Sequence, residues 1–351
     1  MKEFCKRLPK IELHAHLSGS IRRDTLHHIW QQKKSESPEL TLEDPLLVIP
    51  EEGVKDINAF FPLFSKYIYA LINTVSTVEF STRAVLNDFC ADGVVYLELR
   101  TTPRDFPETG LTKQKYVETV LNTISEFNAS NGEMKARLIL SIDRRDDVEK
   151  AWETVELAKR YKKEGVSGVD LCGDPLKGDP SIFAPHFDAA KSAGLGLTIH
   201  FAELPQSSSD SELFTLLSYN PDRLGHVIHC SEEVKKKLVE KKVALELCIS
   251  CNVQIKMNPA VTTHKEHHFG EWWREGNCTV ALSTDDVGVF YSELSNEYWI
   301  VHEHFGLGKR QLWELAKGVV DATFAEKEEK ERLKGVMDKF GAAEGLWQID
   351  M

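Results

Sequence analysis

Short apolar runs rich in β-branched residues recur along the whole chain, and segments with helical spacing separate them. Near-continuous apolar runs of this length are typical of buried parallel strands that are covered on both faces. The predicted strands are Lys10–Leu17, Val94–Arg100, Ala136–Asp143, Val166–Cys172, Leu195–Ala202, Asp222–Val227, Lys242–Cys248 and Cys278–Thr284.

The segments between these runs predict helices. The apolar positions of Phe60–Ile72 follow helical spacing, and Trp152–Tyr161 and Leu312–Val320 behave likewise. Eight strands that alternate with helices predict a (β/α)8 TIM barrel of the α/β class, formed as one domain by residues 1–351. An open doubly wound sheet is the alternative, but no G-x-G-x-x-G follows the first strand.

Two segments exceed a minimal barrel. Residues 18–93 are longer than one connecting helix requires, so we expect a helical insertion at the catalytic rim. This insertion can form a lid, with Phe60–Ile72 as one wall. The tail beyond Gly308 is helical and then heavily charged over Glu326–Lys334, which predicts a solvated closing helix.

Charge and composition narrow the classes of function. The 351 residues include 43 basic and 55 acidic side chains, which gives a net charge of −12 and disfavours nucleic acid and anionic membranes as partners. No apolar run is long enough to span a bilayer, and the first residues lack the apolar core of a secretory signal. Seven scattered cysteines suit a reducing compartment. We therefore expect a cytosolic monomer.

Polar side chains collect where the predicted strands end. His14 and His16 end the first strand, His200 and His226 lie at the ends of the fifth and sixth, and Asp285 follows the eighth. In a barrel these ends form the catalytic face. His14 and His16 share one face of their strand, because residues two apart point the same way. Three histidines and one aspartate suit a single zinc ion, which lowers the pKa of a bound water toward 7.

Two further residues lie close to this set, and each leaves alternatives open. Glu203 follows His200 by three residues and either carries protons beside the metal, caps the next helix, or faces solvent in a loop. His226 either hydrogen-bonds the activated water, serves as another ligand, or is a core histidine.

Other candidates are predicted to be structural or solvated. Cys248 and Cys251 form one C-x-x-C without the second pair that a structural zinc site needs. The adjacent pairs His27–His28 and His267–His268 are expected to point apart, and His302 and His304 do not share a helix face. The H-x-E…P-C-x-x-C signature of cytidine-type deaminases is absent.

Four motifs together resemble the adenosine/AMP deaminase family and occur in the order of that family. They are Leu8–Leu17 (LPKIELHAHL), His200–Glu203 (HFAE), Gly225–His226 and Ser283–Asp286 (STDD). Further stretches are similar to the N6-methyl-AMP deaminase branch of that family: Tyr96–Arg104, Ser141–Arg145, His267–Phe269 and Asp285–Phe290.

The resemblance implies a zinc-dependent hydrolase that removes the 6-amino or 6-alkylamino group of a purine nucleoside monophosphate. The residues that match the ligands of its one zinc ion are His14, His16, His200 and Asp285, and His16 also borders the substrate. Glu203 matches the residue that protonates purine N1, and His226 the histidine that orients the attacking water. Asp286 matches the carboxylate that meets N7, and Gly173 the glycine whose N–H meets N3.

Recognition of a 5′-phosphate is expected from the segment after the second strand, Thr101, Thr102, Pro103 and Arg104. Asp143 is expected to touch the sugar or a neighbouring basic residue. Ser18 stands where the branch usually has Asn and adenosine deaminases have Asp, and Ile68 stands where the branch has His.

The predicted reaction is hydrolysis of N6-methyl-AMP to IMP and methylamine, with adenosine deamination to inosine as the alternative. Two readings outside this class are a metal-dependent amidohydrolase acting on another bond and a barrel that has lost catalysis and only binds. The zinc set is compatible with the first, but Glu203 and Asp286 would then lack their purine partners. The intact Glu203, His226 and full ligand set argue against the second.

Overall fold

Eight parallel strands form the centre of the molecule and are hydrogen-bonded in the order β1 to β8. The computed structural model describes residues 1–55 and 57–347. The strands are β1 Lys10–His16, β2 Val94–Thr101, β3 Lys135–Asp143, β4 Val166–Cys172, β5 Gly196–Phe201, β6 Arg223–His226, β7 Ala244–Leu247 and β8 Val280–Leu282. With helices between them, they confirm the predicted (β/α)8 barrel.

The barrel closes where β1 meets the residues after β8. Ala15 and Asp285 form a parallel bridge, and the Asp285 N–H donates to the carbonyl of His14 (2.8 Å). Below this bridge the Glu12 carboxylate replaces strand-to-strand bonds: it accepts from the N–H of His14 (2.7 Å) and from the N–H of Thr284 (3.0 Å). The first and last strands are therefore joined beside the predicted metal ligands.

Helices surround the barrel. They are α1 Lys2–Arg7, α2 Leu17–Ser20, α3 Arg23–Glu36, α4 Pro45–Val48, α5 Ile57–Leu63, α6 Tyr69–Leu71, α7 Val75–Ala91, α8 Lys113–Ser130, α9 Val148–Arg160, α10 Ala184–Ser192, α11 Asp210–Ser218, α12 Glu232–Lys241, α13 Ile249–Gln254, α14 Phe269–Glu275, α15 Val287–Phe290, α16 Leu294–Phe305, α17 Lys309–Gly318 and α18 Lys327–Ala343. The helices predicted at 152–161 and 312–320 correspond to α9 and α17, and the charged tail segment lies in α18. In the described part of the chain, no helix has both the length and the apolar character of a membrane span.

The barrel interior carries a network of buried charges. Arg223 donates to Glu98 (2.6 Å) and to Glu246 (2.5 Å), and Arg100 donates to Glu246 (2.8 Å). The Arg100 guanidinium also lies 3.3 Å from Asp170. All five side chains are fully buried, and such charges are tolerated only when each has an opposite partner. The network reaches from the start of β6 toward the strand ends.

The helix predicted over Phe60–Ile72 is confirmed, but it contains a π-helical turn that the apolar spacing did not predict. The segment forms α5, a π-helical turn over Phe64–Ile68, and the short α6. A π turn inserts one extra residue and rotates the side chains that follow. Ile68 is the last residue of this turn and is buried in the core, while Tyr69, the next residue, lines a cavity. The lid function of residues 18–93, the one-domain organisation and the cytosolic monomer stay predictions.

Candidate active site

Five side chains meet above the carboxyl ends of the strands. The Nε2 atom of His200 lies 3.1 Å from that of His14 and 3.0 Å from that of His16. Asp285 Oδ1 lies 3.5 Å and 3.4 Å from the same two atoms of His14 and His16. One ligand atom each of His14, His200, His226 and Asp285 lies within 4.8 Å of the other three. The structure thus brings the four predicted ligands together and adds His226 at their edge.

Two buried carboxylates determine which nitrogens of these rings are free. The Nδ1–H of His14 donates to Glu246 (2.7 Å), and the Nδ1–H of His200 donates to Asp170 (3.1 Å). Burial alone would raise the pKa of Glu246, but the charges of Arg100 and Arg223 and the hydrogen bond from His14 together outweigh burial and hold that pKa well below its usual value. In their neutral forms, both rings therefore turn an unprotonated Nε2 toward the same point.

This arrangement fits a divalent metal ion. Three imidazole nitrogens and one carboxylate oxygen converge on one small volume, which is a donor set that suits zinc. A cation there would satisfy lone pairs that otherwise face one another. Histidines that bind metals usually donate their other N–H to a carboxylate, as His14 and His200 do here.

The backbone around Asp285 is shaped to hold its carboxylate in place. Asp285 and His226 adopt left-handed φ values of +61° and +67°, which are uncommon for residues with a side chain and are often found at functional sites. The Cys251 thiol donates to Asp285 Oδ2 (2.9 Å). Gly225 leaves room for the His14 ring, since a Cβ at residue 225 would lie 2.5 Å from the Cε1 atom of that ring.

Glu203 follows β5 and turns its carboxyl group toward His226. Its Oε2 lies 4.0 Å from His226 Nε2, and the side chain is buried. Burial raises the pKa of Glu203 to about 7, so the carboxyl group is able to hold a proton near neutral pH. The helix-cap alternative is not what the structure shows, because the following helix α11 is capped by the side chain of Ser209.

Asp286 lies against the start of α2. A Cβ at residue 19 would lie 1.5 Å from Asp286 Oδ1, so Gly19 is required for this carboxyl group to fit. Burial, and then the charge of Asp285, raise the pKa of Asp286 well above its usual range. A protonated Asp286 can donate a hydrogen bond to an acceptor in the cavity.

Gly173 follows β4 in a left-handed conformation, with φ of +104°. A Cβ there would lie 2.4 Å from Asp143 Oδ1, so the close approach of these two residues needs glycine. Asp143 accepts from Arg145 Nε (2.8 Å), which confirms the expected contact with a neighbouring basic residue.

Arg104 is held by a tyrosine that the sequence analysis did not select. Its Nη2 donates to Tyr69 Oη (2.6 Å), and its guanidinium stacks on the Tyr69 ring with Cζ 3.5 Å from the centroid. The guanidinium is thereby kept at the rim of β2. Ser18 lines the same cavity as Tyr69.

The threonines beside Arg104 differ in their contacts. Thr101 Oγ1 is bonded to the hydroxyl of Tyr116 (2.7 Å) and is buried, whereas Thr102 is partly exposed. Pro103 is buried and does not line the cavity. Of the two threonines, Thr102 therefore has the hydroxyl group that is more available to a ligand.

A cavity of about 260 Å³ connects all these groups. Aromatic side chains of α5 and the π turn, among them Phe60, Phe61 and Phe64, form one apolar wall. The predicted site residues in its lining are His16, Ser18, Thr101, Thr102, Arg104, Asp143, Gly173, His200, Glu203, His226, Asp285 and Asp286, whereas His14 is buried behind them.

The expectation that His267 and His268 point apart is wrong. Their ring centroids lie 4.0 Å apart with the rings tilted by 34°, just before α14 begins at Phe269. His268 Nε2–H donates to the carbonyl of His226 (2.7 Å). His27 is consistent with a structural role, since its Nδ1 lies 2.7 Å from Asp44 on the insertion.

The carboxylates behind the histidines belong to none of the motifs found in the sequence. Glu246 and Asp170 are single acidic residues inside otherwise apolar strands, β7 and β4. A lone charge in a buried strand needs a partner, and that rule alone could have marked both as functional candidates.

The chain matches the family model of adenosine deaminase over residues 9–340. It is 36% identical over 340 residues to a Danio rerio protein named N6-methyl-AMP deaminase, covering 94% of each chain. It is 37% identical over 357 residues to the Arabidopsis thaliana N6-mAMP deaminase, covering 96% of this chain and 98% of that one.

Solved structures agree with these relatives. The structure of an ADAL–IMP complex superposes with a TM-score of 0.90 at 36% identity, covering 98% of this chain and 100% of that chain. An Arabidopsis ADAL structure with GMP gives a TM-score of 0.88 at 36% identity, covering 96% and 98% of the two chains. The chain therefore belongs to the adenosine deaminase family and is a hydrolase of the purine deaminase class.

Proposed function

We propose that the chain is a zinc-dependent hydrolase that converts N6-methyl-AMP and water to IMP and methylamine. The observation that carries the proposal is that one cavity has two chemically different ends. The metal end comprises His14, His16, His200 and Asp285. The phosphate end comprises Tyr69, Thr102 and Arg104, and supplies a guanidinium and two hydroxyl groups, which suit a 5′-phosphate.

At the metal end, the four ligands would hold one zinc ion, which supplies an activated water for attack on purine C6. Glu203 donates its proton to N1 of the purine and thereby makes C6 electrophilic. His226 hydrogen-bonds the attacking oxygen. Of the two protons of that water, one replaces the proton given up by Glu203 and the other goes to N6. The C6–N6 bond then breaks, the methylamino group leaves as methylamine, and the purine becomes the 6-oxo form in IMP.

Two further groups orient the base. Asp286 in its protonated form donates to N7, and the backbone N–H of Gly173 donates to N3. A glycine suits the second contact because the flat base can approach its main chain closely.

The phosphate end favours a nucleotide over a nucleoside. Ser18 places a hydroxyl group where an aspartate would repel phosphate, and Asp143 is already paired with Arg145. The N6-methyl-AMP deaminases and the IMP and GMP complexes among the relatives support a nucleoside monophosphate as substrate.

A substrate panel tests this proposal. Zinc-loaded protein is given adenosine, AMP, N6-methyladenosine and N6-methyl-AMP, and turnover is followed by purine absorbance. We expect the highest kcat/KM for N6-methyl-AMP. Faster turnover of adenosine would make the chain an adenosine deaminase and overturn the proposal.

The substitution Arg104→Ala tests the phosphate end directly. Loss of a hydrogen bond to a charged group costs about 1.5–3 kcal/mol, so KM for N6-methyl-AMP should rise roughly 10- to 100-fold. KM for N6-methyladenosine should change little, and Arg104→Lys should retain part of the affinity for the nucleotide. Equal increases for nucleotide and nucleoside would remove Arg104 from the phosphate site.

A further inference from the structure

A chain of hydrogen bonds runs from the backbone of α14 to the ring of His226. The Phe269 N–H donates to Nδ1 of His267 (3.1 Å). His267 Nε2 lies 3.0 Å from Asn252 Oδ1, and Asn252 Nδ2 lies 3.0 Å from His226 Nδ1. All four residues are buried, so water does not compete for these bonds.

The direction of every bond in this chain follows from its first member, because a backbone N–H can only donate. His267 Nδ1 accepts, so the ring proton of His267 is on Nε2 and is donated to the amide oxygen of Asn252. A doubly protonated His267 would set one N–H against another. The amide orientation has independent support: Asn252 Nδ2 also lies 3.1 Å from Met257 Sδ, which can only accept.

His226 is the last residue in this series of hydrogen bonds. Because the Asn252 amide N–H faces His226 Nδ1, this nitrogen accepts and the single ring proton is on Nε2. That Nε2 lies 4.0 Å from Glu203 Oε2 and 4.0 Å from Asp285 Oδ2. A protonated ring nitrogen cannot bind a metal, so His226 faces the site as a hydrogen-bond donor.

We propose that Asn252 and His267 are positioning residues that hold His226 as the Nε2–H tautomer, ready to donate to the oxygen that attacks the purine. His268 supports the same geometry through its bond to the His226 carbonyl (2.7 Å), which holds the left-handed backbone there. The role in turnover rests on the deaminase function proposed above, whereas the tautomer can be measured without substrate.

The tautomer is read by NMR on the zinc-loaded chain labelled with [15N]histidine. Long-range 1H–15N correlations show which nitrogen of each ring is protonated, and the His226 signals are identified by their loss in His226→Asn. We expect an unprotonated Nδ1 and a protonated Nε2. An unprotonated or metal-bound Nε2 overturns the proposal.

Two variants at one position separate positioning from packing. His267→Phe keeps a ring but removes the donor, so kcat should fall about 10- to 100-fold while KM and zinc content stay unchanged. The His226 proton should then shift in part to Nδ1. His267→Gln retains an N–H toward Asn252 and should restore kcat to within a few-fold of the parent.

Equal losses in the two variants, or an unchanged kcat and spectrum in His267→Phe, would contradict the proposal. If His267→Phe does not fold, the spectrum of the parent protein decides. The four-substrate panel separates the proposed substrate from the proposed positioning role. If only adenosine is turned over, the proposed substrate is wrong. The ratios of kcat between the variants and the parent, measured with adenosine, then still test the positioning residues.

Discussion

The two ends of the cavity are built in different ways. At the metal end, strands of the barrel hold every histidine, and buried carboxylates hold His14 and His200 from behind. At the proposed phosphate end, Arg104 is partly exposed, and its guanidinium is held by Tyr69, a residue of the helical insertion. The candidate metal ligands are therefore positioned by the barrel itself, whereas the arginine of the proposed phosphate end is positioned by a residue of the insertion.

The largest expected effect is at the metal end. Glu203→Gln removes the proton donor for N1, so kcat should fall roughly 100- to 10,000-fold. The loss should be the same for N6-methyl-AMP and N6-methyladenosine, because this end does not contact the phosphate. Steady-state kinetics and zinc analysis on both substrates measure it, and zinc content should be unchanged.

Glu212→Gln is the matched control for that variant, since Glu212 pairs with Arg144 (2.8 Å) outside the cavity. It should keep the turnover of the parent. If Glu203→Gln also kept it, Glu203 would have no part in proton transfer.

A smaller effect is expected behind the ligands. Asp170→Asn weakens the support of His200, so zinc affinity should fall about 10- to 100-fold, as measured by competition with a chromophoric chelator. Asp143→Asn, an equivalent change beside the phosphate end, should leave zinc affinity unaltered. A similar loss in both variants would mean that the two ends are not independent.

The smallest effect is expected at the insertion. Tyr69→Phe keeps the ring under Arg104 but removes the hydroxyl group, a neutral hydrogen-bonding partner worth about 0.5–1.5 kcal/mol. KM for the nucleotide should rise roughly two- to tenfold and KM for the nucleoside should not. Tyr67→Phe, two residues earlier in the π turn and outside the cavity, should change neither constant. A rise in KM for the nucleoside in Tyr69→Phe would refute the division between the ends.

Much of the barrel and its strand ends could be predicted from local pattern. Short apolar runs predict buried strands, and a histidine or aspartate at the end of such a run, as at His14, His200 or Asp285, predicts a functional side chain. Both patterns can be recognised within a few residues. The barrel then brings such tips together, because parallel strands share one carboxyl edge.

What could not be predicted depends on distant parts of the chain. Glu246 reaches His14, 232 positions away, only after the strands have paired in register. Tyr69 lines the cavity directly after a π turn, and such a turn leaves no mark on the spacing of apolar residues. The rings of His267 and His268 lie close together just before α14 begins, although adjacent residues normally diverge.

The join between the first and last strands has a consequence for how the protein assembles. Glu12 and Thr284 meet across 272 positions of sequence, and His14 and Asp285 lie directly above them. Bringing such remote segments together costs conformational entropy before the contacts between them can stabilise the fold. The ligand set is therefore incomplete in every conformation in which the ring of strands is open. A metal ion that binds this ligand set would stabilise only conformations in which the barrel is closed. Retention of the ion would therefore report on whether β1 and β8 have come together.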